Sequence, residues 1–549
     1  MRVALLLLLA ALSGCRRGDA PSAATPPAGA VTVVIAYGSE KKTWLEEQAK
    51  AFAATAPRLK SGSAVRLDAR AMGSGESVQA ILSGALQPTV YSPASGAYVS
   101  LLNDAWLSTA GHTQALCPAG EPIVLSPIVI ALWKPMAEAL GWPAKPLGWR
   151  DLLAVNANAK GWGALGHPEW GRFKLGHTHP EFSNSGLLAV LAEAYAGAKK
   201  ARGLDAKDLA APQTRAFVAA VEQTIVHYGK STGFFADKML ERGPGYLSAA
   251  VLYENLVIEA GAKSPQTPVV AIYPTEGTFW SDHPWAVLDA PWVSAEQREA
   301  AALFLAFLKA KPAQERALQL GFRPADASIA IGAPIDAAHG ADPRQPQALL
   351  DVPAAPVLRS LIALWQESKR ATDVELVFDK SGSMNGRPMN EAKAGARVFL
   401  ESLHDRDQAS LMFFDSELYP PFGPVSIKEG RQQLLQRVDS AIADGGTALY
   451  DATLSAFSRA GARAGKDPGR IHAVVVMTDG KDNKSHLDLS SLRAQLSDES
   501  AQVKVFTIAY GSEADPAILA SIAEAARGSA VKGSAENIVQ VFQDMASFF

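Results

Sequence analysis

The sequence predicts an α/β protein in two parts, the second a doubly wound, mostly parallel sheet. Three observations carry this. A chain of 549 residues exceeds what one core can fill and implies two or three domains. Apolar runs of strand length alternate with segments of helical period from Val31 onward, and again from Asp373, and short links between such elements favour parallel pairing. Between the two series, Ala325 to Ala355 is rich in Pro, Ala, Gly and Asp and reads as a connector. The apolar fraction of 48% is ordinary for globular protein, and 52 basic against 55 acidic residues leave a net charge of −3. Nothing in that balance favours nucleic acid or a generic anionic surface. Two cysteines, Cys15 and Cys117, cannot build a disulfide framework or a cysteine-based zinc site.

In chain order, Arg2 precedes the apolar run Val3 to Leu12, which is about half the length of a membrane-spanning helix and fits a secretion signal. Leu12-Ser13-Gly14-Cys15 resembles a bacterial lipobox, which implies a signal peptide over residues 1–15 and lipidation of Cys15. Arg16 stands where Asp would mark inner-membrane retention in some double-membraned bacteria, so the resemblance favours an outer-membrane anchor. Residues 16–30, rich in Pro, Ala, Gly and Ser, read as a flexible tether. Cys117 is then the one remaining thiol, expected to be buried.

Residues 31–324 form the first unit. Val31 to Ala36 reads as a strand ending at Gly38-Ser39, and Lys42 to Ala54 as a helix with Trp44, Leu45, Ala49 and Phe52 on one face. Val65 to Ala71 is a second strand, followed by Gly73-Ser74-Gly75-Glu76-Ser77 and a helix, Val78 to Leu82. A strand, a small polar loop and a helix aim backbone N–H groups at an anion or polar ligand. Thr89-Val90-Tyr91 before Ser92, and Ser183-Asn184-Ser185 before the helix Leu187 to Tyr195, repeat the arrangement. With Ser126 to Ala131, Trp149 to Leu153, Tyr253-Glu254, Ala271 to Gly277 and a helix over Phe304 to Phe322, these segments resemble a type 2 periplasmic solute-binding protein. The resemblance implies two lobes around a cleft for a small polar or anionic solute. Ser39, Ser74, Ser92, Ser183 and Ser185, at helix starts, are the candidate ligand contacts; each is also a natural helix cap.

Residues 325–370 join the units and end in a helix, Val357 to Arg370, with Leu358, Leu361, Ile362 and Trp365 on one face. Residues 371–549 form the second unit. Its strands are expected at Asp373 to Asp379, Ala409 to Phe414, His472 to Met477 and Val503 to Tyr510. Its helices are expected at Asn390 to Leu403, Arg431 to Ile442, Leu449 to Ala460, Leu487 to Leu496, Pro516 to Ala526 and Ile538 to Phe549. The first strand ends in Asp379-Lys380-Ser381-Gly382-Ser383, whose alternate residues can face one side. One carboxylate and two hydroxyls are hard oxygen donors suited to Mg²⁺, Mn²⁺ or Ca²⁺. Gly445-Gly446-Thr447 offers a third hydroxyl, and Thr478-Asp479-Gly480 closes a second buried strand. Ligands of open α/β sheets sit beyond such strand ends. D-x-S-x-S, G-G-T and T-D-G in this order resemble a von Willebrand factor type A domain, with a Rossmann-like sheet. The resemblance implies a metal-ion-dependent adhesion site at Asp379, Ser381, Ser383, Thr447 and Asp479, gripping the exposed Asp or Glu of a protein partner. Lys380 departs from the family's usual small or apolar residue; alternation turns it away from the ion.

His177 and His179 lie two apart with no nearby carboxylate run to complete a metal set. Gly73-Ser74-Gly75 lacks the P-loop lysine, and no G-x-S-x-G elbow appears. The tryptophans from Trp133 to Trp170 are expected to pack lobe surfaces rather than to stack on a sugar. These features describe a non-enzymatic, membrane-anchored binding protein of the cell envelope. The alternatives are the receptor of a transport system with the second module as a docking domain, and an accessory subunit of a chelatase-like or ATPase-like machine.

Overall fold

A computed structural model of the chain describes residues 29–549 except 110, 264–265, 267, 499–501, 512, 535–536, 547 and 549. Cys15 and nearly all of the tether lie outside the described residues.

The first module has two sheets. In the first, Ala30–Gly38 pairs in parallel with Ala64–Met72 and Val90–Ser92; Pro284–Val287 and Glu121–Pro122 add antiparallel strands. The second sheet is built on Val124–Trp133, which pairs antiparallel with Ala249–Tyr253, Val269–Ile272, Trp280–Ser281 and Arg323–Pro324. Leu175–Thr178 and Ile225–Gly229 extend it in parallel. The chain passes between the sheets at residues 122–124 and 281–284, and a third time between Val287 and Arg323, which produces the two lobes. Asn184–Ala198, almost wholly buried, is the central helix of the second lobe. Trp133, Trp149 and Trp162 fill the core around it.

Two expectations about this part change. Phe304 to Phe322 is not one helix but the end of one, Ala295–Lys309, and the whole of a second, Lys311–Gln319, broken at Ala310. Pro312 supplies no N–H for the carbonyl four residues back and its ring clashes with that carbonyl, so the first helix cannot run through it and a new one starts at Lys311. The connector is also no free link. Gly340 O accepts from Ala271 N at 2.7 Å, Leu350 N donates to Thr278 O at 2.9 Å, and the helix Ala355–Ser368 buries Leu358, Leu361, Leu364 and Trp365 in the first module's core.

The second module is a single six-stranded sheet. Its order is Phe422–Ser426, Gln408–Phe414, Thr372–Asp379, Ile471–Thr478, Val503–Tyr510 and Ala530–Gly533. All neighbours are parallel except the first pair. The two edge strands were not expected from sequence; Phe422–Ser426 contains Gly423-Pro424, which only a sheet edge tolerates. Helices cover both faces and close two cores. Asp373 and Glu375, buried in the central strand, are held by the helix Leu449–Ala464. Arg463 reaches Asp373 at 2.6 Å and Glu375 at 3.0 Å, and Arg459, one turn away, also bonds Glu375.

The modules touch directly. Arg242 donates to Arg527 O at 3.0 Å, and Lys504 Nζ lies 3.1 Å from His227 Nδ1. Burial pulls the Lys504 ammonium down to about 7, and the charges of Arg242, Lys174, Arg527 and Arg370 add to the effect.

Candidate functional site: an oxygen-lined rim and a closed cleft

The central strands of the second sheet end side by side, at Asp379 and Thr478. Beyond Asp379 the chain folds over its own carboxylate: Ser381 N donates to Asp379 Oδ1 at 2.7 Å. Gly382 N then donates to Gly445 O at 3.0 Å, which pins the Gly445-Gly446-Thr447 loop against the Ser381–Ser383 turn. Ser381 Oγ and Ser383 Oγ are 3.1 Å apart, and Ser383 Oγ donates to Asp479 Oδ1 at 2.7 Å. Thr447 joins from the third side. A Cβ on Gly480 would sit 3.0 Å from Thr447 Oγ1 and 3.7 Å from Ser383 Oγ, so glycine keeps that space open. The structure therefore brings together all five residues singled out in the sequence.

Electrostatics mark the spot. Burial pushes the Asp379 carboxyl up to about 6, and the nearby charge of Asp479 acts in the same direction. Burial also raises Asp479. No cationic side chain lies within ion-pair distance of either among the described residues. Lys380, the nearest in sequence, points away, with its ammonium 2.5 Å from Asp415 Oδ2 and over the Tyr419 ring at 4.1 Å. Three hydroxyls and two carboxyls without a counter-charge fit a hard divalent cation. Two supporting residues escaped sequence reasoning. The Thr478 hydroxyl donates to Asp379 Oδ2, a role concealed in the T-D-G triplet. Asn483 Oδ1 accepts from Thr447 N at 2.9 Å and carries no sequence signal.

The cleft of the first module contrasts with this. All five candidate serines are buried. Ser39 Oγ accepts from Gly233 N of the opposite lobe at 3.2 Å, and Ser74 Oγ from Ala94 N at 3.1 Å. Ser185 Oγ lies 2.7 Å from Thr178 Oγ1 and 2.8 Å from Thr232 Oγ1; Ser183 Oγ is 3.2 Å from Thr232 Oγ1. Ser92 Oγ alone of the five has no partner among the described residues. The N–H groups of Gly75 and Glu76, expected to face a ligand, donate instead to Phe182 O at 2.9 and 3.1 Å. The lobes meet backbone to backbone here: a Cβ on Gly75 would lie 2.0 Å from Glu181 O, and one on Gly73 2.3 Å from Phe182 O. Cys117 is buried, and burial pushes its thiol up to about 12.

A two-lobed α/β binding module joined to a single-sheet module with an oxygen-lined rim defines a composite binding protein. The chain belongs to the bacterial extracellular solute-binding protein family, whose profile matches residues 33–323, and it carries a von Willebrand factor type A domain matched over residues 373–544. An uncharacterized protein of Mycobacterium tuberculosis is 23% identical over 477 residues, covering 81% of this chain and 65% of that protein. An uncharacterized protein of Synechocystis sp. is 27% identical over 158 residues, covering 28% of this chain and 36% of its own length. The chain thus spans less than two thirds of these relatives. Among solved structures, a periplasmic thiamin binding protein superposes with a TM-score of 0.44 at 12% identity, over 62% of this chain and 98% of its own.

Proposed function

We propose that the second module binds a divalent cation, Mg²⁺ or alternatively Mn²⁺ or Ca²⁺, at Asp379, Ser381, Ser383, Thr447 and Asp479, and through it the exposed Asp or Glu of a protein partner. The observation that carries the reading is the convergence of three hydroxyls on two carboxyls whose affinity for protons is raised by burial. A bound divalent ion supplies a Lewis-acid position that an incoming carboxylate can complete. The chain's own part is positioning. Thr478 orients Asp379, Gly382 and Gly445 lock the loops, Asn483 braces Thr447, and Asp415 keeps Lys380 off the site.

The first module, in this reading, takes a small polar or anionic solute when its lobes part and free the Gly75 and Glu76 N–H groups and the serine hydroxyls. Lipidation at Cys15 holds the chain on the extracytoplasmic side of the envelope, in keeping with the extracellular character of its family. No helix among the described residues is long and apolar enough to cross a membrane. The chain acts by binding, without catalysis.

The test is affinity capture on the full chain in Mg²⁺ and in EDTA. The expected partner is retained in Mg²⁺, released by EDTA, and not retained by Asp379→Ala. Capture that is indifferent to EDTA would overturn the reading.

A further inference from the structure

The second lobe of the first module buries a group of ionisable side chains that neither binding site uses. His177, on the strand Leu175–Thr178, Glu193, in the central helix, and Glu222, at the end of the helix Pro212–Glu222, are all fully buried. One potential ligand atom from each lies within 4.8 Å of the others. Glu193 is the one acid in the apolar run Leu187 to Ala198, and neither of its carboxyl oxygens has a hydrogen-bond partner among the described residues. It faces Glu222, and two carboxyl groups cannot bond each other unless a proton or a cation stands between them.

The surroundings are those of a metal ligand set. His177 Nδ1 lies 2.7 Å from Thr178 O, a pure acceptor, so Nδ1 carries the hydrogen. Nε2 then faces inward, 3.0 Å from Glu222 Oε1, a contact that requires a proton or a cation between the two atoms. The other oxygen of Glu222 is held by the Tyr228 hydroxyl at 2.6 Å and by Trp365 Nε1 at 3.2 Å. A histidine fixed through its outer nitrogen and a carboxylate fixed through its outer oxygen are the supports that orient metal ligands. His179 takes no part: its Nδ1 accepts from Glu181 N, and its ring packs on Trp365. The sequence reading set the two histidines aside because no carboxylate lies near them in the chain; the carboxylates that meet His177 stand 16 and 45 residues further on.

We infer that His177, Glu193 and Glu222 form a second, buried site for a divalent transition metal of the Zn²⁺ type, one that ties the second lobe to the linking helix. Imidazole nitrogen and carboxylate oxygen are donor types that zinc accepts, three of them leave a fourth tetrahedral position open, and the set differs from the all-oxygen rim. A shift of under about 1 Å per side chain brings the three onto one ion with bonds near 2.0–2.2 Å. Two carboxylates and a dication with a neutral imidazole sum to no net charge, which an apolar core demands. Trp365 belongs to the helix Ala355–Ser368 leading into the second module, so the bond from its indole to Glu222 makes that helix part of the site's support.

The test uses the full chain with Asp379→Ala, which silences the rim. After EDTA treatment, reloading with Zn²⁺ alone and desalting, about one equivalent is expected to remain by elemental analysis. Adding Glu193→Gln is expected to remove it, and adding Trp365→Phe to weaken it by about tenfold or more. Co²⁺ in place of Zn²⁺ is expected to give the visible absorption of a low-coordinate site in Asp379→Ala; this reading stands even if Glu193→Gln fails to fold. Absence of both retained Zn²⁺ and the Co²⁺ bands, or retention undiminished in Glu193→Gln, would overturn the inference.

Discussion

The two modules place the same chemistry, hydroxyls in loops beyond strand ends, in opposite states. In the cleft of the first module, four of the five candidate serines already bond to protein groups, and one of those bonds, from Gly233 N to Ser39, crosses between the lobes. On the rim of the second, three hydroxyls gather on two carboxyls that have no counter-charge among the described residues. A hydroxyl at a helix start therefore says little about ligands. What distinguishes a site is convergence on charge that the protein leaves unbalanced.

The sharpest way to break this comparison is to delete its charged member. Asp379→Ala is expected to lower Mg²⁺ affinity by about a hundredfold or more, while Ser39→Ala in the cleft leaves it unchanged and costs the fold about 1 kcal/mol or less. Titration of both proteins with Mg²⁺ and urea unfolding check the pair.

Next comes a matched pair of glycines. Gly75→Ala puts a methyl group on a backbone carbonyl of the opposite lobe, so the lobes are expected to separate, with a larger radius of gyration in solution scattering and a loss of about 1–3 kcal/mol. Gly480→Ala meets only the Thr447 and Ser383 side chains, so it is expected to weaken the cation without changing the shape of the chain. Identical scattering from Gly75→Ala and the parent would contradict the account of the closed cleft.

How legible each region was follows from range. Two of the rim's three motifs close neighbouring strands, and strand ends in a parallel sheet fall on one edge whatever the loops do; the third, Gly445-Gly446-Thr447, lies between the helices Ile427–Asp439 and Leu449–Ala464. The strand ends bring Asp379, Ser381, Ser383 and Asp479 to that edge, and the order of the three motifs in the family they resemble adds Thr447. The cleft depends on contacts such as Gly75 with Phe182 and Ser39 with Gly233, between segments about one to two hundred residues apart, and no local pattern encodes them. Gly73-Ser74-Gly75 read as an anion loop because its glycines permit close approach; what approaches is the other lobe's backbone. The same limit hid Glu193 and Glu222, although a lone acid in an apolar helix was a readable signal. The edge strand Phe422–Ser426 was missed because Gly423-Pro424 speaks against a strand unless its place at the edge is known.

A smaller effect sharpens the picture of the junction. The Lys504 ammonium is held near 7 in the folded chain, against an ordinary value of 10.5. Between about pH 7 and 10 the unfolded chain keeps a proton that the folded one has released, so this group makes stability rise with pH across that window; below it both forms are protonated and the full burial penalty applies. Lys504→Met is expected to flatten the rise, as read from urea midpoints of variant and parent at several pH values. Parallel curves would place the junction's pH response elsewhere.

The rim, and not the cleft, is the proposed cation site. Its most direct test is calorimetric titration of the EDTA-treated full chain with Mg²⁺, beside Asp379→Ala and Ser39→Ala. One Mg²⁺ per chain is expected in the parent and in Ser39→Ala, and none in Asp379→Ala. Equal Mg²⁺ binding by the parent and Asp379→Ala, or none by the parent, would contradict it.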